Sequence, residues 1–86
     1  MKVIDLTNLR RKDAPVLYRK VYYADAIVEV MADSLSLPIE FVVEHKPLGG
    51  VEIRVTLIDD IDYPILPIIN HLKLHISELQ SNGALP

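Results

Sequence analysis

The chain of 86 residues contains no cysteine and no tryptophan, and only one phenylalanine and three glycines. Without cysteine, disulfides, thiol nucleophiles, iron–sulfur clusters and thiolate zinc sites are excluded. The opening "MKVIDLTNL" has no apolar stretch of the roughly 7–15 residues a signal peptide needs. No apolar run approaches the ~18 residues that would span a bilayer. We therefore expect a cytoplasmic protein with no membrane partner.

Half of the residues are hydrophobic. Most of these are Ile, Leu and Val, which suits a folded chain with a packed core. The length predicts a single domain spanning 1–86. A chain this short buries only about 60–65% of the surface that its unfolded state exposes. That leaves room for one core, and it favours a site between subunits over a deep pocket within one. The net charge of −3 is unevenly placed: residues 1–20 sum to +4 and residues 21–86 to −7. Such a bipolar chain attracts copies of itself or an anionic partner.

The hydrophobic periods predict the elements. "KVIDLT" (2–7) alternates as a short strand, and the polar, basic segment 8–13 reads as a loop. In 14–36, Leu17, Val21, Ala24, Val28, Met31 and Leu35 recur in steps of three and four, the stripe of an amphipathic helix. Asp13 would cap that helix, and Pro15 suits its first turn. A competing reading makes "AIVEVMA" a strand, because Ile27, Val28 and Val30 are β-branched. "IEFVVEH" (39–45) and "VEIRVTLI" (51–58) alternate around "KPLGG", the pattern of a β-hairpin. In the last segment, Ile65, Ile68, Ile69, Leu72, Ile76 and Leu79 fall at helical spacing. Asp62 is the expected cap there, Gly83 the expected stop, and the tail "ALP" is expected to fray. Pro67 suggests that this helix begins properly only after it. This order predicts an α+β two-layer sandwich, β-α-β-β-α, with a three-stranded sheet in the order 1-3-2 and two helices on one face.

The stretch "IDLTNLRRKDAPVL" resembles the start of the TusA-type sulfur carriers. Asp5-Leu6, Leu9-Arg10 and Pro15-Val16-Leu17 are similar to the strand, loop and helix start of that family. The spacing differs by one residue, and Arg11 or Lys12 stands where the family has its persulfide cysteine. A sulfur carrier without a thiol cannot carry sulfur, so neither activity nor fold is transferred.

Four groups of residues are candidates for function. Arg10, Arg11 and Lys12 precede the expected first helix, whose N-terminus would favour a small anion such as a phosphate or nucleotide. Asp13 competes for the same donors, and the loop lacks the glycines that wrap a phosphate. Three cations without nearby aromatics on an acidic chain disfavour nucleic acid. His71, His75 and Glu78 share a helix side suited to metal ligands, but no HExxH motif or third ligand is evident, so no metal or other cofactor is assigned. Asp59, Asp60 and Asp62 form a carboxylate cluster that a helix start explains without catalysis. Tyr18 and Tyr22, on the polar side of the expected first helix, and Leu74, off the stripe of the last one, would extend an apolar patch for a partner. The sequence thus favours a non-catalytic module that binds itself or another protein, with small-anion binding as the alternative.

Overall fold

From Arg19 to Val30 the side chains alternate in burial. Tyr22, Ala24, Ala26, Val28 and Val30 are buried; Val21, Tyr23, Asp25 and Ile27 are half-exposed, and Glu29 is exposed. This is the period of a strand, and it overturns the expected helix over 14–36. The computed structural model describes residues 2–12 and 18–86, without the side chain of Ile4. The expected capping residues Asp13 and Pro15 lie outside the described residues. The chain forms β1 (Lys2–Lys12), β2 (Arg19–Val30), β3 (Asp33–His45), β4 (Val51–Leu57) and α1 (Ile65–Ser81).

The strands make a four-stranded antiparallel sheet in the order β1-β2-β3-β4. The expected three-stranded sheet with order 1-3-2 and two helices is therefore corrected to a sequential four-stranded meander with one helix. The physical reason lies in residues 18–36. On a helix, the stripe through Val21, Ala24 and Val28 would leave Tyr22, Ile27 and Val30 off the apolar side. As strands, the same residues bury Tyr22, Ala26 and Val30 too, and the β-branched residues fit the pleat.

The β2–β3 register runs without a bulge from Arg19↔Glu44 to Val30↔Asp33. Its turn consists of Met31 and Ala32, with Met31 at φ 58. Neither residue is one of the usual turn formers, so nothing in the sequence announces the reversal. At the other end of β3, Gly49 and Gly50 adopt φ 97 and 89, and Lys46 N–H donates to the Gly50 carbonyl at 3.1 Å. The "KPLGG" turn forms as expected.

Pro38 lies inside β3 and does not break it. Its carbonyl accepts a bond from Ile58 N–H at 3.1 Å, so its imide nitrogen also points toward the β4 side. Opposite Ile58 it has no N–H to return the bond, and the β3–β4 ladder ends beside it at Ile39↔Leu57.

One face of the sheet holds the core: Tyr22, Ala24 and Val28 of β2, Ile39, Phe41 and Val43 of β3, Leu6 and Val55 from the outer strands, and Ile68, Leu72 and Ile76 of α1. Tyr22 stacks on its register partner Phe41, with ring centroids 4.9 Å apart and planes 14° apart. The helix comes closest to β4 and β1, the two edges, which requires the sheet to curl around it.

The helix starts at Ile65 after Pro64, with no side-chain cap, so Asp62 does not cap it. Pro67 falls in the first turn, where the missing N–H has no helical partner to lose. At the far end Gly83 has φ 67; its N–H donates to the Gln80 carbonyl, and Ala84 N–H donates to that of Leu79 at 2.9 Å. This is the Schellman pattern expected of Gly83. The tail is not frayed: Leu85 packs on the core, and the Pro86 carbonyl accepts a bond from the Tyr22 hydroxyl at 3.0 Å.

Met31 is 87% exposed, so its side chain contributes little to set against its positive φ. Met31→Gly is expected to stabilise the fold by up to about 1 kcal/mol. The measurement is the urea midpoint, and an unchanged or lower midpoint would contradict the strain assigned to this turn.

Candidate functional site

The basic segment is part of a strand. Arg10, Arg11 and Lys12 end β1 and pair with Tyr23, Tyr22 and Val21. Strand alternation sends Arg10 and Lys12 to the outer face and Arg11 to the face of Tyr22. Arg10 donates to the Asn8 carbonyl at 2.9 Å, and its guanidinium lies 5.5 Å from the Tyr23 ring centroid. The helix start expected to complete an anion site does not follow, because β2 does. The three cations are therefore spread over two faces.

The expected contact residues separate. Tyr18 is exposed just before β2, and Leu74 is 68% exposed on α1. Tyr22 is only 1% exposed and belongs to the core, which corrects its place on an outer surface. On a strand it shares a side with Ala24, whereas the helical reading had put it on the polar arc. His71 and Glu78 are exposed on α1 and His75 is half-buried; among the described residues no three His, Asp or Glu side chains converge as metal ligands. Asp59 and Asp60 follow β4 in the linker to α1. The same linker is tied down by Tyr63, whose hydroxyl donates to Asp33 Oδ2 at 3.4 Å.

The two sheet edges differ. Strand β1 has register shifts after Val3 and Thr7, a positive φ of 53 at Asn8, and three cations at its end. Bulges and charge are the usual means of blocking an edge from pairing. Strand β4 has a regular register and no proline. The bonds Lys46 N–H to Gly50 and Ile58 N–H to Pro38 set the parity of its ladder. Glu52, Arg54 and Thr56 direct their main-chain groups to β3, and Val51, Ile53, Val55 and Leu57 direct theirs outward. Among the described residues, those outward groups have no hydrogen-bond partner.

Apolar surface flanks this edge. Val51, Ile53, Asn70, Lys73, Leu74 and Ser77 line a groove of about 470 Å3 between β4 and α1. A second groove of about 260 Å3 continues along the strand past Val55 and Leu57 to Ile65 and Ile69. Leu66 is 69% exposed and Val51 42%. On the outer face, Glu52 Oε1 accepts a bond from Arg54 Nε at 3.2 Å, and Lys46 Nζ lies 3.6 Å from Glu52 Oε2. The Arg54 bond, then the Arg54 and Lys46 charges, hold the Glu52 carboxyl below its usual range. Leu74 was legible as an off-stripe residue. The β4 edge was not, because which strands end a sheet depends on pairing.

A protein-family comparison matches residues 1–81 of the chain. The chain belongs to the BB_0187 family. No curated protein and no solved structure gives a match. In this member of the family, no helix of the described residues is long and apolar enough to cross a membrane.

Burial raises the Tyr22 hydroxyl above its ordinary pKa of 10.0, with the Arg11 charge opposing more weakly. The folded value therefore exceeds the unfolded one. The associated stability is complete below about pH 10 and is lost as pH rises through the folded value. Tyr22→Phe is expected to cost about 0.5–1.5 kcal/mol near neutral pH, through the lost bond to Pro86, and to flatten the alkaline loss. Urea unfolding at about pH 7 and about pH 11 checks both; an equally steep alkaline loss in the variant would count against this burial.

Proposed function

We propose that this chain is a non-catalytic protein-interaction module that takes an extended polypeptide strand along β4, beside α1. The reading is carried by the unpaired, regular β4 edge next to an apolar groove, set against a β1 edge with bulges and charge. Strand addition uses main-chain bonds for affinity and alternate side-chain pockets for selectivity. Each added main-chain bond contributes a net of about 0.5–1.5 kcal/mol. Covering Val51, Leu66 and Leu74 adds about 25 cal/mol for each Å2 of apolar surface removed from water. The partner is another protein or a second copy, and the proposed setting is the cytoplasm. The small-anion alternative has no comparable support, since Arg10, Arg11 and Lys12 do not share a face.

A photo-crosslinking residue at position 51 or 74 tests this in cells, with position 29 on the outer face as control. Polypeptide adducts are expected from 51 and 74 and not from 29. Ile53→Pro should remove them: it deletes an outward N–H without taking a bond from the β3–β4 ladder, so thermal unfolding should still show a folded chain. Adducts equally strong in the folded Ile53→Pro protein, or none beyond the control, would overturn the reading.

A further inference from the structure

We infer that the strand added to β4 is β4 of a second copy, antiparallel about a two-fold axis through Ile53. This inference rests on the β4 edge being a docking site. The outward groups of Val51, Ile53, Val55 and Leu57 restrict an antiparallel partner to registers of one parity. The charges of β4 then decide among the two-fold registers.

An axis at Arg54 places Arg54 opposite its own copy. An axis at Glu52 does the same for Glu52. With the axis at Val55, Arg54 faces Thr56 and Glu52 faces Ile58. Only the axis at Ile53 sets Glu52 opposite Arg54, and it does so twice by symmetry. Like charges directly opposite destabilise a strand pair, and opposite charges stabilise it.

In this register Glu52 and Arg54 form the non-hydrogen-bonded pairs across the junction, in which side chains approach most closely. Ile53 exchanges both main-chain bonds with its counterpart, and Val51 does so with Val55. The Arg54 side chain, which bonds its own Glu52 at 3.2 Å, lies equally within reach of the other copy's Glu52.

On the helix side of the junction every pair is apolar: Ile53 with Ile53, and Val51 with Val55. A two-fold axis normal to the sheet brings both α1 helices to the same face, antiparallel and side by side. The flanks carrying Lys73, Leu74 and Ser77 then meet across the axis, which covers the groove lined by Val51 and Ile53. This contact is isologous, as a two-fold requires.

Sedimentation equilibrium of Glu52→Arg, Arg54→Glu, their mixture and the double variant tests the register. The wild type should form a dimer. Each single variant should dimerise at least about tenfold more weakly, because both junction pairs become repulsive. An equimolar mixture should recover a heterodimer near wild-type affinity, since the two junction arginines of one chain then face the two junction glutamates of the other. The double variant E52R/R54E should dimerise like the wild type, which also shows that both positions tolerate exchange. A monomeric wild type overturns the inference, as does an equally tight dimer in both single variants. If cross-links from positions 51 and 74 then join the chain to a different polypeptide, the strand-docking reading survives and the second copy does not.

Discussion

The β2–β3 hairpin is the constraint on which the remaining structure depends. Its ladder is unbroken from Arg19↔Glu44 to Val30↔Asp33, and it sets Tyr22 on Phe41, Ala24 beside Ile39 and Ala26 beside Leu37. Because side chains alternate with a period of two, a slip of one residue would send this whole set to the outer face. The outer strands and α1 are positioned against that set. Leu6 and Val55 extend the core sideways, and Ile68, Leu72 and Ile76 close it from above.

Main-chain accounting explains the edges. A meander of four strands has two unpaired rims, and each needs a way to avoid indiscriminate pairing. At β1 the irregular register and the run Arg10 to Lys12 serve this purpose. At β4 the only comparable device among the described residues is Pro38, which ends the ladder at Leu57 and leaves the rim between Val51 and Leu57 regular. The cations that suggest an anion site in the sequence thus have a structural role, in company with Asn8 and Tyr23. The same accounting points to the apolar flank of α1, because Leu74 and Val51 lie beside the open rim.

The failed first helix has a local cause. Residues 18–36 satisfy two periods at once, since Ala24 and Val28 fit both a helical stripe and a strand face. Sequence reading separates such cases by turn residues, and the chain reverses at Met31 and Ala32 with neither glycine nor proline. The β3–β4 hairpin was legible because Gly49 and Gly50 mark it. The end of α1 was legible because Gly83 marks it. Tyr22 was misplaced together with the helix that was to display it. Leu74 was placed correctly as an exposed residue because the period of α1 was read correctly.

By itself, the sequence determined the chemistry that is absent, the apolar alternation of 39–45 and 51–57, the helical period from Ile65 onward, and the glycine turns. These are local properties, written in neighbouring residues. Tertiary structure alone decided that 18–36 forms strands, that β1 and β4 become the rims, and that Tyr22 lies beneath the chain's last residues. Those outcomes depend on which segments pair across the sheet, and pairing energy is shared between residues far apart in the chain, where no local pattern records it.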